Sequence, residues 1–168
     1  MNSRDGNAPL NVFAVPLEGP GAMWMMPKPR ADSLAKDMAQ LRAMGVERVL
    51  SLLEPSEAEA LGLSGQAKSA QAAGLIFQSF PIPDRGVPEA AAFFALMDVL
   101  RADLAAGARL LVHCHGGIGR SGLVACALAA PAGARAHEVI AHVSAARGLE
   151  VPETQAQRDL IAQALARI

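Results

Sequence analysis

The stretch that decides the fold reads RLLVHCHGGIGRSG and occupies residues 109–122. Its opening, Arg109–His113, is a short apolar run typical of a buried strand, and the apolar sequence from Gly119 onward predicts a helix. The loop between them, up to Arg120, contains three glycines and no proline. It can therefore turn tightly while every backbone N–H stays available. Because N–H groups that converge at a helix N-terminus bind tetrahedral anions, this stretch predicts an anion-binding loop.

Two side chains of this loop have the chemistry of phosphate-ester cleavage. Cys114 directly follows the strand, and a thiol at a helix N-terminus ionises well below the pKa of ~8.5 of free cysteine. We therefore expect a thiolate nucleophile at neutral pH rather than the buried core thiol that is common at strand ends. Arg120 carries a planar fork of donors that matches two phosphate oxygens, which Lys cannot do. The predicted phosphate contacts come from His115, Gly116, Gly117, Ile118, Gly119 and Arg120.

The rest of the chain alternates strands with helices, which is typical of an α/β fold with a mostly parallel central sheet flanked by helices. Ligands of such sheets bind beyond the carboxyl ends of the strands. The phosphate loop is therefore expected between a central strand and a helix. The other predicted strands cover residues 11–15, 22–26, 46–53 and 75–81. The predicted helices begin at Asp32 or Ser33 (ending near 44) and at Ser56, and cover 66–73, 88–106, 119–130, 136–147 and 154–167.

The length and composition fit one compact domain. The chain has 168 residues, of which 52% are apolar and 18% charged. This is enough for a single hydrophobic core and argues against disorder. No repeat or linker divides the chain, so we interpret residues 1–168 as one domain. Within it, residues 1–30 form N-terminal strands and turns, and residues 109–168 form the phosphate loop and C-terminal helices.

The charge balance and the apolar pattern restrict partners and location. A formal net charge of −1 gives no general attraction to nucleic acid or to an anionic membrane. The longest uncharged apolar stretch, residues 123–134, is too short to span a bilayer, and the polar residues 1–10 predict no secretory leader. We therefore expect a cytoplasmic protein whose two cysteines stay reduced, with Cys126 in the core. The oligomeric state is left open.

Residues 113–122, HCHGGIGRSG, resemble the signature loop of the cysteine phosphatases: His-Cys, five residues, Arg, and then Ser or Thr. The run over residues 110–127 is similar to kinase-associated phosphatases of the cyclin-dependent kinase inhibitor 3 type and their bacterial relatives. The similarity extends to PIPDRGVP (81–88), VERVLSLL (46–53) and residues 147–160. The resemblance implies the cysteine-phosphatase fold and a protein tyrosine or dual-specificity phosphatase that needs no metal and no cofactor.

The resemblance also implies roles for residues around the nucleophile. His113 would orient the loop and help to keep Cys114 ionised, and Ser121 would donate a hydrogen bond to the Cys114 sulfur. Asp84 would be the general acid that protonates the leaving oxygen, and its carboxylate would then activate water. The alternative for Asp84 is a turn residue that precedes a solvated Arg85.

The hydrolytic water would be placed by Gln157, with Gln155 as the alternative for that role. Gln157 is also compatible with a capping role, because Thr154 and Gln157 have capping-box spacing at the start of the last helix. One position departs from the pattern of the larger tyrosine phosphatases, which have Trp where this chain has Ile82. The Trp-anchored loop movement of those enzymes is therefore not implied here.

Three functions are weighed on these residues. The first is hydrolysis of phosphotyrosine, or of phosphotyrosine, phosphoserine and phosphothreonine, in proteins by a two-step cysteinyl-phosphate mechanism; a small phosphomonoester is another possible substrate. The second is a phosphoinositide or inositol-phosphate phosphatase, although such enzymes usually have Lys in the loop where this chain has His115 and Ile118. The third is a catalytically silent module that binds phosphoproteins, which would predict loss of the nucleophile, the Arg or the acid.

No metal site is expected from the histidines. His115 has no second ligand near it at metal-site spacing, and we expect its side chain to point outward. His137 and His142 are five residues apart on a predicted helix, which does not place them on one ligand face.

Overall fold

The computed structural model describes residues 8–168 and builds them around a five-stranded sheet. Its strands are β1 (Phe13–Val15), β2 (Ala22–Met26), β3 (Arg48–Ser51), β4 (Ile76–Ser79) and β5 (Arg109–His113). Their order across the sheet is β1-β2-β5-β3-β4. β1 pairs with β2 in the antiparallel direction, and all the other pairs are parallel. The predicted α/β class with a mostly parallel sheet is therefore confirmed.

Helices cover both faces of this sheet. Within the described residues they are α1 (Leu34–Ala43, after a 3₁₀ turn at Ala31–Ser33), α2 (Pro55–Ala60), α3 (Gln66–Ala72), α4 (Ala90–Ala105), α5 (Gly119–Ala129), α6 (Ala136–Arg147) and α7 (Gln155–Leu165). On one face, α1 and α3 pack against the sheet through Met38 and Ala70, which share a cluster with Leu111. The other face carries α4 to α7, which contribute Phe93, Met97, Leu123, Val139 and Ile161 to the larger cluster.

The two elements that hold the phosphate loop are the most enclosed parts of the fold. β5 lies between β2 and β3 and between both helix layers, so residues 110–113 are all buried. This explains its unbroken apolar run. Residues 119–128 of α5 are buried as well, as expected of a helix that is apolar on every side. The loop is therefore attached at both ends to rigid structure.

The loop leaves the sheet at the edge where the parallel strands end. In the register of the sheet, Met26 and Ser51 lie beside His113, the last residue of β5. The segments that follow β2 and β3 therefore begin next to Cys114, as expected at the carboxyl edge of a parallel sheet.

β2 and β5 have the predicted bounds, but the other three strands are shorter than predicted. The third strand covers Arg48–Ser51 rather than 46–53, and the fourth covers Ile76–Ser79 rather than 75–81. Leu52 and Leu53 have left the strand, but both remain buried in the core. An apolar run in the sequence indicates buried residues, whether or not they belong to a strand. Here the buried residues continue past the end of β3 into the loop, so the run overestimates the strand.

Two helix starts also differ from the predictions. α2 begins at Pro55 rather than Ser56, with Glu54 in the N-cap position. α4 begins at Ala90, because the carboxylate of Glu89 accepts hydrogen bonds from the N–H groups of the next turn at 2.7 and 3.0 Å. Glutamate lies outside the usual set of N-cap residues, which is why the sequence pattern did not locate these starts.

The longest helix in the described part of the chain is α4, with 16 residues. No helix there has both the length and the apolar character that a bilayer crossing requires. The prediction that residues 1–10 form no secretory leader falls mostly on residues 1–7, outside the described residues.

Candidate active site

The predicted phosphate loop connects β5 to α5, and Cys114 forms its floor. Cys114 is 2% exposed and belongs to the large apolar cluster. Gly119 is the first residue of α5 and Arg120 the second. The loop therefore places a thiol beneath the N-terminus of a buried helix, as the sequence predicts.

Arg147, at the end of α6, holds two carbonyl groups of this loop on its outer side. Its Nε donates to the oxygen of Gly117 at 2.8 Å and its Nη2 donates to the oxygen of Gly116 at 3.2 Å. The guanidinium lies over the ring of Phe13, 4.1 Å from its centroid, which supports it from β1. Nothing in the local sequence indicates this contact, since Arg147 resembles an ordinary basic residue in a last helical turn.

The two preceding carbonyl groups are also held from outside the loop. The backbone N–H of Lys28 donates to the oxygen of His115 at 2.9 Å, and Nδ1 of His113 lies 3.2 Å from the oxygen of Cys114. In a trans peptide the C=O and the following N–H point in opposite directions. Fixing the carbonyls of residues 114–117 outward therefore turns the N–H groups of residues 115–118 toward the centre of the loop.

Two glycines of the loop lie close to other segments, and at Gly117 the neighbour is backbone. Gly117 has φ +66, and a Cβ there would lie 2.6 Å from the backbone of Met26 and Pro27. A Cβ on Gly119 would lie 2.9 Å from the Glu153 carboxylate. The loop can therefore pass beside β2 only without a side chain at residue 117, whereas the flexible end of the Glu153 side chain can move away from residue 119.

Arg120 is buried and held by a carboxylate that the sequence did not predict. Glu57 of α2 accepts from Nη1 at 2.7 Å and from Nη2 at 2.8 Å, and the carbonyl of Ile82 accepts from Nη1 at 3.0 Å. These hydrogen bonds raise the pKa of Arg120 and lower the pKa of Glu57 from their ordinary values, although burial opposes both shifts. The planar fork is therefore fixed in orientation by a bidentate ion pair. In the sequence, Glu54 and Glu57 have the spacing of a helix cap. Nothing in that spacing indicates that Glu57 also binds Arg120.

Asp84 lies beside the ion pair of Arg120 and Glu57. Its Oδ1 lies 3.2 Å from Arg120 Nη2, and its side chain is 63% exposed at the mouth of the loop. Asp84 lies in a turn closed by the hydrogen bond from Gly86 N to Pro83 O at 2.8 Å, with Arg85 at φ +60. Asp84 therefore has the turn position that the sequence analysis gave as the alternative to a general acid. In the same position its carboxyl also contacts Arg120.

Gln157 is buried and ties α7 to the Asp84 turn. Its Nε2 donates to the oxygen of Gly86 at 3.1 Å, and its Oε1 accepts from the N–H groups of Glu153 and Thr154. Thr154 accepts from Gln157 N at 3.2 Å, which confirms the capping box. Gln155 is exposed and donates to Asp159 at 2.8 Å. Of the two glutamines, only Gln157 lies beside the loop, with Oε1 3.2 Å from a Cβ built on Gly119.

The remaining predicted residues have contrasting environments. Ser121 is buried, and its hydroxyl has no hydrogen-bond partner within residues 8–168. Half of the His115 side chain is exposed, as expected, and its Nδ1 lies 3.9 Å from Glu57. Cys126 is fully buried in the large apolar cluster, which confirms a core thiol, and this burial raises its pKa to about 12. Across residues 8–168, no three His, Cys, Asp or Glu side chains form a group that could hold a metal ion.

Solved structures identify the class of the fold. The crystal structure of kinase associated phosphatase, with its catalytic-site cysteine replaced by serine, matches with a TM-score of 0.86 at 22% identity, covering 96% of this chain and 99% of that chain. Tk-PTP in its active form matches with a TM-score of 0.73 at 25% identity, covering 93% of this chain and 98% of that chain. The chain therefore has the protein tyrosine phosphatase fold.

The family is defined more narrowly. The family model described as cyclin-dependent kinase inhibitor 3 matches residues 24–134, and this chain belongs to that family. Mouse (Mus musculus) cyclin-dependent kinase inhibitor 3 is 30% identical over 96 residues, covering 57% of this chain and 46% of that protein. Mouse protein tyrosine phosphatase domain-containing protein 1 is 29% identical over 133 residues, covering 73% of this chain and 18% of that protein. The chain thus spans about half the length, or less, of the curated relatives it matches.

Glu57→Gln is expected to lower the free energy of unfolding at pH 7 by about 2 kcal/mol, because the buried Arg120 loses its charged partner. The depressed pKa of Glu57 means that its contribution is present above its unfolded pKa and is lost as the pH falls through the folded one. Urea unfolding measures the change. The matched control is Glu59→Gln, an exposed glutamate of the same helix, for which we expect a change within about 0.5 kcal/mol. Equal effects of the two variants would contradict the ion pair.

The buried His113 is expected to make the stability of the protein depend on pH. Burial lowers its pKa from 6.5 to about 4, and the charge of Arg120 adds to the shift. Between those pH values the unfolded chain binds a proton that the folded chain does not, so stability falls as the pH drops from about 6.5 to about 4, by at most about 3 kcal/mol. Unfolding free energies at several pH values, compared between wild type and His113→Asn, should show a flatter slope in the variant. The exposed His137→Asn should keep the wild-type slope, and a wild-type slope in His113→Asn would contradict the assignment.

Proposed function

We propose that this chain is a phosphatase domain that hydrolyses phosphomonoesters without a metal, through a cysteinyl-phosphate on Cys114. The observation that carries the proposal is the loop over residues 114–119, in which the carbonyl oxygens of residues 114–117 are held outside by His113, Lys28 and Arg147. The opposed N–H groups face the space above Cys114. A tetrahedral oxyanion there is stabilised by these dipoles and by the N-terminus of α5.

In the first step the Cys114 thiolate attacks phosphorus, so that an S–P bond forms as the P–O bond to the leaving group breaks. Arg120 binds two of the phosphate oxygens. A phosphate oxygen takes the place that the Asp84 carboxyl occupies beside Arg120 Nη2 in the free chain. Asp84 is then free to give its proton to the leaving oxygen, which departs as a neutral alcohol or phenol.

In the second step water attacks phosphorus, the S–P bond breaks, and Cys114 leaves as a thiolate. The Asp84 carboxylate takes the proton from the water, and inorganic phosphate is released. Ser121 donates a hydrogen bond to the returning thiolate. Support for this role is that its buried hydroxyl has no other partner among the described residues.

We assign the role of positioning the hydrolytic water to Gln157 rather than to Gln155. Gln157 lies beside the first residue of α5, whereas Gln155 is exposed and bound to Asp159. Reaching the water requires Gln157 to exchange its contact with Gly86 for the water molecule.

The proposed substrates are proteins that carry phosphotyrosine, alone or together with phosphoserine and phosphothreonine. Of the two buried guanidinium groups at the loop, that of Arg147 is bound to the carbonyls of Gly116 and Gly117, which leaves Arg120 for the phosphate. Residues 115–119 contain no Lys or Arg. This fits a single phosphate better than the several phosphates of an inositol headgroup. Release of phosphate from phosphotyrosine and phosphothreonine peptides, measured against an inositol polyphosphate, separates these substrate classes.

We expect EDTA-resistant hydrolysis of p-nitrophenyl phosphate that is lost in Cys114→Ser and blocked by vanadate, because only the thiolate can form the S–P bond. The matched control is Cys126→Ser, which changes the other buried cysteine and should keep turnover. Initial rates over a range of pH, with circular dichroism to verify folding, provide the measurement. Folded wild-type protein without turnover at any pH would support a phosphoprotein-binding module instead.

Asp84→Asn should reduce turnover most on substrates with poor leaving groups, because the acid is needed when the leaving oxygen is basic. We expect kcat on phenyl phosphate to fall by about 10²–10⁴-fold and kcat on p-nitrophenyl phosphate to fall less. Asp32→Asn, at an exposed aspartate of the 3₁₀ turn, is the control. Equal losses of kcat on both esters would mean that Asp84 acts through the structure of its turn.

A further inference from the structure

A buried chain of polar groups lies behind the nucleophile. The amide oxygen of Gln66, the first residue of α3, lies 3.1 Å from Nε2 of His113. The amide nitrogen of Gln66 donates to Ser51 Oγ at 3.2 Å. Gln66, Ser51 and His113 are 6%, 1% and 0% exposed. Each of these polar groups must therefore find its partner within the protein.

The ring of His113 contacts two groups, one on each nitrogen. Nδ1 lies beside the carbonyl oxygen of Cys114, which can only accept a hydrogen bond. That contact is favourable only when Nδ1 carries a proton. Burial lowers the pKa of His113 to about 4, so that near neutral pH the ring has one proton. The charged group that acts on the ring is the guanidinium of Arg120.

A neutral ring with its proton on Nδ1 has an unprotonated Nε2, which needs a donor. A half-turn about the last side-chain bond of Gln66 exchanges its oxygen and nitrogen and supplies that donor. Ser51 fits both orientations, since a hydroxyl can accept from the amide nitrogen or donate to the amide oxygen. The amide oxygen faces Nε2 in the structure, and this orientation satisfies both ring nitrogens at once only when the ring is doubly protonated. When the ring is neutral, the amide nitrogen faces Nε2.

We propose that Gln66 is a positioning residue for Cys114. Its amide stays hydrogen-bonded to Ser51 and can turn over to match either protonation state of His113. In both states Nδ1–H of His113 then donates to the Cys114 carbonyl. The inference rests on the proposed role of Cys114 as nucleophile. The Cys114 carbonyl is the first of the four that the loop must hold outward. Without Gln66, the proton of a neutral His113 can move to Nε2, and this carbonyl loses its donor.

The first test reads the ring protons of the wild-type chain and needs no turnover. In wild-type chain with ¹⁵N-labelled histidine, long-range ¹H–¹⁵N spectra identify which ring nitrogen carries the proton, and His113→Asn assigns the signals. At pH 7 we expect a protonated Nδ1 and a bare Nε2 on His113. A proton on Nε2 with a bare Nδ1 would overturn the proposal. Because this readout is independent of hydrolysis, it remains valid even if the chain fails to hydrolyse p-nitrophenyl phosphate, which would contradict the proposed function instead.

The second test compares Gln66→Met with Gln71→Met. Gln71 lies on the same helix and is exposed, and methionine keeps the length of the side chain without its hydrogen bonds. Gln66→Met should lose the Nδ1–H form as the dominant tautomer and lower kcat by about tenfold to a hundredfold through misplacement of the nucleophile. The Gln71 variant should change neither. Unchanged ring signals in Gln66→Met, with or without a loss of kcat, would overturn the proposal.

Gln66→Glu gives an opposite signature and serves if the Met variant does not fold. A carboxylate can only accept, so it should hold His113 with protons on both nitrogens at pH 7 while Nδ1 still donates to Cys114. A singly protonated ring in this variant would contradict the coupling between residue 66 and His113.

Discussion

The site depends on one constraint: the carbonyl groups of residues 114–117 must face away from the space above Cys114. A short loop cannot satisfy this by itself, because its own N–H groups are the ones that must stay free for an anion. The groups that face these oxygens therefore come from outside the loop: the ring of His113, the backbone N–H of Lys28 just after β2, and the guanidinium of Arg147 at the end of α6. The parallel sheet and the buried helix α5 place these three donors around the loop. A loop in which these carbonyls turned inward would repel the phosphate that it is proposed to bind.

The second requirement is a cation that is buried yet fixed in orientation. Burying Arg120 alone would cost several kcal/mol, and Glu57 offsets that cost with two charge-assisted hydrogen bonds. The ion pair of Arg120 with Glu57 leaves one hydrogen-bonding position on Nη2, and Asp84 occupies it in the free chain. The candidate acid and the phosphate-binding group are therefore neighbours before any substrate arrives. In the proposed mechanism, phosphate displaces the Asp84 carboxyl from Arg120 Nη2, so that substrate binding releases the acid.

The parts of this site that lie close together in the sequence could be predicted, and the parts that depend on distant contacts could not. Residues 109–122 contain a strand, a glycine-containing loop and a helix start in one run, so their structure follows from local pattern and their proposed roles follow from the family resemblance. Glu57 is 63 residues from Arg120, and Gln66 is 47 residues from His113. Each looks locally like an ordinary helix residue. Strand ends were overestimated for a related reason: Leu52 and Leu53 are apolar because they are buried, and burial extends beyond the pairing of strands. The sheet order, with the last strand in sequence at its centre, also arises from long-range pairing.

The most direct measurement is the crystal structure of the chain with vanadate, which takes the geometry of a phosphate under attack. The account predicts vanadium bonded to Cys114 Sγ, with its equatorial oxygens accepting hydrogen bonds from the loop N–H groups and from Arg120. The carbonyls of residues 114–117 should remain on His113, Lys28 and Arg147, and the Asp84 carboxyl should have left Nη2 for the apical oxygen. Vanadate bound away from Cys114, or a loop whose carbonyls face the ion, would contradict the account.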